Sequence, residues 1–318
     1  MNMRRYQIVF LGMLIFSFGA GAQYEAYKAP FEQTMNVVYA ERDGVGLVMD
    51  VFVPKAGTAP AIFKPGESGK GAAIVDIASG GWSSDRGKIE DHKIFKMYDV
   101  FCCRGYTVFA VRPGSDSKFT GLEMLDNVNS AIRYIKEHAK QYGFDPERLG
   151  LTGASAGGHL ACLAAVKAED GDPKAKDVLR RHGTRVKAVG VFFPPTDFLN
   201  WGDGKEAPFD KARGLFYPCG DLASHSKEEI NEMARALSPI YFVKENLPPF
   251  LIFHGTADPL VPLQQSESMV AALKEKGNSA ELIIKKGGGH PWLTITEEIV
   301  VLADWFDKHL AAGGAPQG

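Results

Sequence analysis

Residues 149–160 read Leu-Gly-Leu-Thr-Gly-Ala-Ser-Ala-Gly-Gly-His-Leu, and the Gly153-Ala154-Ser155-Ala156-Gly157 at their centre decides the fold. Leu149 to Thr152 is a short apolar run of strand type, and helical spacing begins directly after Ser155. A serine in so sharp a strand-to-helix turn lifts its hydroxyl above a sheet, provided its neighbours are small enough for strand and helix to meet. Gly153, Ala154, Ala156, Gly157 and Gly158 satisfy that condition. The helix start behind the serine also favours developing negative charge. G-x-S-x-G alone arises by chance, and the competing reading is a glycine-rich helix start with Ser155 as a cap. The flanking strand and helix favour the nucleophile.

Working outward, short apolar runs alternate with amphipathic ones, the order that gives an α/β fold with a mostly parallel sheet between helices. Asn36 to Tyr39 and Leu47 to Val53 flank Asp43-Gly44 and read as an opening antiparallel hairpin. Strands are expected at Ala73–Ala78, Thr107–Val111, Leu149–Thr152, Val186–Phe193, Phe250–Phe253 and Ala280–Ile284. Helices are expected at Lys88–Cys103, Leu122–Gln141, after Ser155, at Lys227–Ala236, Leu263–Lys276 and Ile295–Leu310. Thr294 and Glu297 have capping-box spacing before the last of these. Residues 194–246 are rich in Gly, Pro and aromatics, too long for an ordinary connection, and read as a small cap inserted over the sheet. The expected architecture is one α/β domain over residues 23–312 with an eight-stranded sheet, and a disordered tail over 313–318.

A serine hydroxyl needs a base, and the base needs an orienting acid. Asp258 in His254-Gly255-Thr256-Ala257-Asp258-Pro259 and His290 in Gly287-Gly288-Gly289-His290-Pro291 both follow strands. The chain order Ser, Asp, His is that of the G-x-S-x-G hydrolases, and strand C-termini are where open α/β sheets place their sites. His159 and His254 read instead as structural groups. The oxyanion donors are expected from Gly80, Gly81 and Ala156. Trp82, Asp197 and Trp201 are candidate substrate contacts, with Asp197 also the reserve acid. Phe193, Phe198, Phe209, Phe216 and Tyr217 join Trp201 as aromatics able to stack on a sugar ring or an aromatic acyl group, or simply to pack the cap.

Composition narrows the classes. The chain has 318 residues, 45% hydrophobic and 23% charged, with a net charge of -2, an ordinary globular balance without the basic stripe of nucleic-acid binding. No zinc-protease, dinucleotide or Walker motif occurs, and the proposed chemistry needs neither metal nor cofactor. Arg4 and Arg5, an apolar Ile8–Phe18 and Ala20-Gly21-Ala22 form a signal-peptide pattern over residues 1–22, so a secreted or periplasmic protein starting at Gln23 is expected, without stable membrane insertion. An uncleaved N-terminal anchor is the alternative. Cys102, Cys103 and Cys162 read as buried apolar residues, with a bridge to Cys219 as a minority option.

Residues 149–160, His254 to Pro262 and Gly289-His290-Pro291-Trp292 resemble the α/β-hydrolase esterase/lipase family, closest to feruloyl and acetylxylan esterase-like proteins. The resemblance covers most of residues 45–310. It implies a serine carboxylic ester hydrolase acting on small-molecule or polysaccharide esters, with acetyl or feruloyl groups the favoured acyl parts. Where the family carries His-Gly-Gly-Gly-Trp, this chain has Ala78-Ser79-Gly80-Gly81-Trp82, lacking the bracing histidine and first glycine. The alternatives are a general short-chain esterase, lipase or peptidase of the same fold, or a non-catalytic carbohydrate-binding relative.

Overall fold

Asp43 and Gly44 both have positive φ, the geometry of a tight hairpin turn, and they join β1 (Phe31–Arg42) to β2 (Val45–Pro54). The structure, a computed structural model, describes residues 28–57, 59–202, 215 and 224–312. The expected signal peptide and tail lie outside these residues. So do 203–214 and 216–223 of the expected cap, with Phe209, Phe216, Tyr217 and Cys219. Among the described residues no helix is long and apolar enough to cross a membrane.

Six further strands complete the sheet: β3 (Ala73–Ile77), β4 (Thr107–Val111), β5 (Leu149–Ala154), β6 (Ala188–Phe192), β7 (Phe250–Gly255) and β8 (Ala280–Lys285). The order is β1-β2-β4-β3-β5-β6-β7-β8. β2 runs antiparallel to β1 and β4, and every other pairing is parallel, as the sequence predicts. β3, β4 and β6 are buried at every residue, so each feeds two cores. Alternation divides them: Val75 and Ile77 pack on one face of the sheet, Ile74 on the other.

The helices are α1 (Arg86–Ile94), α2 (Met97–Cys102), α3 (Gly121–Glu137), α4 (Ala156–Val166), α5 (Lys227–Leu237), α6 (Leu263–Glu275) and α7 (Ile295–His309). Thr120–Glu123 and Ser226–Glu229 form reciprocal capping boxes that start α3 and α5. Two expectations fail here. The single helix expected over Lys88–Cys103 is two, broken where Lys96 turns into the left-handed region at φ 63°. Only Ile89 and His92 of α1 are buried, whereas every residue of α2 is, so the chain must turn to enter the core. Thr294 makes no side-chain cap, because its helix-like backbone (φ -95°, ψ 18°) lacks the extended geometry a cap needs. Glu297 instead approaches Lys285 at 3.5 Å. Cys102 and Cys162 are buried free thiols, as read from the sequence, whereas the free thiol of Cys103 is only half-buried.

Candidate active site

Ser155 sits between β5 and α4 with φ 53° and ψ -120°, a strained backbone for a residue with a side chain. The glycines around it are obligatory. A β-carbon on Gly153 would lie 2.6 Å from the Gly157 carbonyl carbon, and one on Gly157 would overlap the Ile77 carbonyl oxygen. Strand, turn and helix meet backbone to backbone, and that crossing aims the Ser155 hydroxyl out of the sheet.

The structure brings the three expected residues together from the ends of β5, β7 and β8. The Ser155 hydroxyl lies 2.8 Å from His290 Nε2, and His290 Nδ1 lies 2.7 Å from Asp258 Oδ2. Asp258 Oδ1 accepts the Leu260 and Val261 amides at 2.8 and 2.9 Å. Burial opposes its charge, but bonds from His254, His290 and the Val261 amide outweigh it and hold the carboxyl far below the usual range. An ionised Asp258 can only accept, so Nδ1 of His290 donates to it and Nε2 is left to accept from Ser155. His254 is wholly buried, 3.5 Å from Asp258 Oδ2, and held by the Val261 carbonyl and the Ser266 hydroxyl at 2.9 and 2.6 Å. It is the structural group expected. Phe193 lays its ring 4.2 Å from that of His290 and restricts it, a contact the sequence does not signal.

The loop after β3 departs from expectation at Gly80. Its amide donates to the Ser83 carbonyl at 2.9 Å, closing a small bridge, so it is no free oxyanion donor. Among the described residues no carbonyl takes the Gly81 or Ala156 amide, which leaves those two as the available donors. A histidine of α4 braces the loop through its tryptophan. Trp82 Nε1 donates to His159 Nδ1 at 3.1 Å, and His159 Nε2 donates to the Leu237 carbonyl at 2.7 Å. Burial pushes the His159 pKa down to about 4, so the relay is neutral. Gly157 donates to the Ser79 carbonyl at 3.0 Å and ties the loop to the nucleophile helix.

Ser155 and His290 open into a cavity of about 830 Å³ that Trp82 and Trp201 also line. Trp201 stacks on Phe198 at 5.9 Å. Asp197 is not in that wall and does not meet His290. Its Oδ1 accepts the Leu199 and Asn200 amides and the Tyr241 hydroxyl at 2.9, 3.2 and 3.0 Å. Those bonds occupy it as a loop brace, which removes it as substrate contact and reserve acid. Lys88, Asp91 and His92 do line the cavity, and nothing in their spacing announces it.

Residues 61–273 match the BD-FAE family. The probable carboxylic ester hydrolase LipM of Mycobacterium tuberculosis is 27% identical over 221 residues, 69% of this chain and 46% of that protein. The esterase LipQ of the same organism is also 27% identical, over 64% of this chain and 46% of its own. The chain thus spans about half the length of the curated relatives it matches. Among solved structures, a truncated carbohydrate esterase from gut microbiota superposes with a TM-score of 0.71 at 24% identity, covering 92% of this chain and 99% of that one. An acetyl ester-xyloside bifunctional hydrolase from Caldicellulosiruptor lactoaceticus gives 0.66 at 18% identity, covering 90% and 98%. These likenesses carry the fold, and the match along the sequence carries the kinship: the chain belongs to the BD-FAE family and has the α/β-hydrolase fold of its esterase neighbours.

Proposed function

We propose that the protein is a secreted serine carboxylic ester hydrolase that works through an acyl-enzyme on acetyl or feruloyl esters of polysaccharides. The observation that carries the reading is the unbroken chain Ser155–His290–Asp258, at 2.8 and 2.7 Å, opening into a cavity. His290 takes the Ser155 proton as the hydroxyl oxygen bonds the ester carbonyl carbon. The proton then passes to the leaving alcohol as the ester C–O bond breaks, and water repeats the cycle to release the acid. Ionised Asp258 fixes the imidazole and stabilises its charged form. Gly81 and Ala156 amides receive the oxyanion, each donor contributing roughly 3 kcal/mol to the transition state.

The ester chemistry is supported by relatives named as ester hydrolases, and the sugar side by structural neighbours named as a carbohydrate esterase and an acetyl ester-xyloside hydrolase. Export rests on the pattern of residues 1–22. A non-catalytic relative would have no need of an intact nucleophile, base and acid in hydrogen-bond register. The test is hydrolysis of p-nitrophenyl acetate and methyl ferulate by the wild type and by Ser155→Ala. Cleavage by the wild type alone is expected. Equal rates, or inertness of both, would defeat the proposal.

A further inference from the structure

Lys88, Asp91 and His92 of α1 line the same cavity as Ser155, and the reaction above uses none of them. His92 has a carboxylate behind it. Its Nδ1 lies 2.7 Å from Oδ2 of Asp76, a wholly buried residue of β3, and the Tyr98 hydroxyl donates to the same oxygen at 2.8 Å. Asp76 Oδ1 has no hydrogen-bond partner among the described residues. A carboxylate so deeply buried persists as an anion only with a cation beside it. His92 is the group placed to supply it. Burial alone would lower its pKa, but the charge and hydrogen bond of Asp76 outweigh burial and raise it. Tying α1 to β3 requires only Nδ1. The Nε2 end of the ring has no hydrogen-bond partner among the described residues and belongs to a side chain of the cavity wall.

Lys88 links this wall to the reacting group. A β-carbon on Gly80 would meet its Cε at 3.2 Å and its Nζ at 3.5 Å, so its chain lies along the loop beside Ser155. Its ammonium is 3.8 Å from Asp91 Oδ2, with side-chain exposures of 30% for Lys88 and 56% for Asp91 that leave both within reach of a ligand. Lys88 thus has an anion of its own in Asp91, and His92 a carboxyl partner of its own in Asp76. The wall offers donors and an acceptor but no net charge. An anionic ligand would have to shed its water beside Asp91. A neutral group rich in hydroxyls gains charge-assisted hydrogen bonds and brings no charge into the cavity.

We infer that Lys88, Asp91 and His92 form a subsite for the free hydroxyls of a sugar carried on the alcohol side of the ester. The inference rests on the ester-hydrolase reading above and assigns one wall of its cavity to the sugar. Lys88 and His92 donate to hydroxyl oxygens and Asp91 accepts from a hydroxyl. Asp76 acts only through His92, as a positioning residue.

The experiment compares kcat/KM for a mono-O-acetylated methyl β-xyloside with that for p-nitrophenyl acetate, in the wild type, Lys88→Met and Asp91→Ala. Both variants leave the buried Asp76–His92 pair in place. The sugar-to-phenyl ratio is expected to fall about tenfold in each, the size of one lost hydrogen bond to a charged group. Competitive inhibition by free methyl β-xyloside should weaken by a similar factor. An unchanged ratio together with unchanged inhibition in both variants overturns the subsite. A wild-type preference for the anionic p-nitrophenyl hemisuccinate that Lys88→Met removes also overturns it, in favour of a carboxylate site. A wild type that cleaves p-nitrophenyl acetate yet neither cleaves the acetylated sugar nor is inhibited by the free one overturns the subsite and leaves the serine reaction standing. A wild type inert on every ester defeats the ester-hydrolase reading and the subsite with it.

Discussion

Two imidazoles face one cavity, each with a carboxylate oxygen 2.7 Å from Nδ1: His290 with Asp258, and His92 with Asp76. Their surroundings divide them. Asp258 Oδ1 is satisfied by two backbone amides, while Asp76 Oδ1 is bare of partners among the described residues. Nε2 of His290 meets the hydroxyl of a strained serine, and Nε2 of His92 meets no hydrogen-bonding side chain among the described residues. A carboxylate–imidazole pair is therefore not a catalytic device in itself. In the proposed reaction it is the group at the far nitrogen that gives such a pair a proton to move.

The largest loss of activity is expected at the first pair. His290→Ala is expected to lower kcat on p-nitrophenyl acetate by about a millionfold, as loss of the base does in other serine hydrolases. Retention of more than a hundredth of the activity in steady-state assays would make His290 a bystander. Asp258→Asn keeps the shape but leaves the imidazole without its anion, and kcat should drop about ten-thousandfold. A drop below tenfold would mean that the backbone alone orients His290.

The second pair should fail in stability. His92→Leu strands the Asp76 carboxylate, and urea unfolding is expected to show a loss of roughly 3–5 kcal/mol. A loss under 1 kcal/mol would show that the Tyr98 hydroxyl alone suffices to hold the Asp76 carboxyl. A third imidazole sharpens the contrast through pH. His159 has no anion beside it among the described residues, stays neutral in the fold with its pKa near 4, and takes a proton near pH 6.5 once unfolded. Its contribution is complete above pH 6.5 and falls by roughly 3 kcal/mol as the pH drops to about 4. His92, with its raised pKa, behaves oppositely. Its contribution is complete below pH 6.5 and is lost only as the pH rises through its folded value. Asp258, held low, loses its own only below the ordinary carboxylate pKa. Asp99, raised to about 6, and His309, held low, titrate in the same window, so His159 is isolated only by difference: in urea titrations between pH 6.5 and 4.5 the wild type should lose more stability than His159→Gln. An equal slope in both proteins would refute the neutral relay.

The first pair was legible in the sequence because its chemistry imposes local patterns. Ser155 needs small neighbours on both sides, and Gly153 and Gly157 are glycines because carbonyl groups occupy the space of a β-carbon. Asp258 and His290 follow strands whose apolar runs are visible, and the alternation that revealed those strands gave the sheet as well. Asp76 and His92 follow no such rule. They stand 16 residues apart on a strand and a helix, and only the packing of α1 on β3 joins them. The same holds for the amide of Gly80, which is claimed by Ser83 through a bridge no spacing reveals. The break at Lys96 was hidden for another reason: no Gly or Pro marks it, and burial of α2 enforces it. Asp197 follows a strand as Asp258 does, and the two differ only in which partners their carboxylates find.

Covalent trapping shows whether Ser155 is an activated nucleophile. Treatment with a fluorophosphonate followed by peptide mass spectrometry should place a single phosphonyl adduct on Ser155. The adduct should be absent in Ser155→Ala and form far more slowly in His290→Ala. No adduct on the wild type, an adduct on another residue, or equal labelling rates in the wild type and His290→Ala would contradict the account.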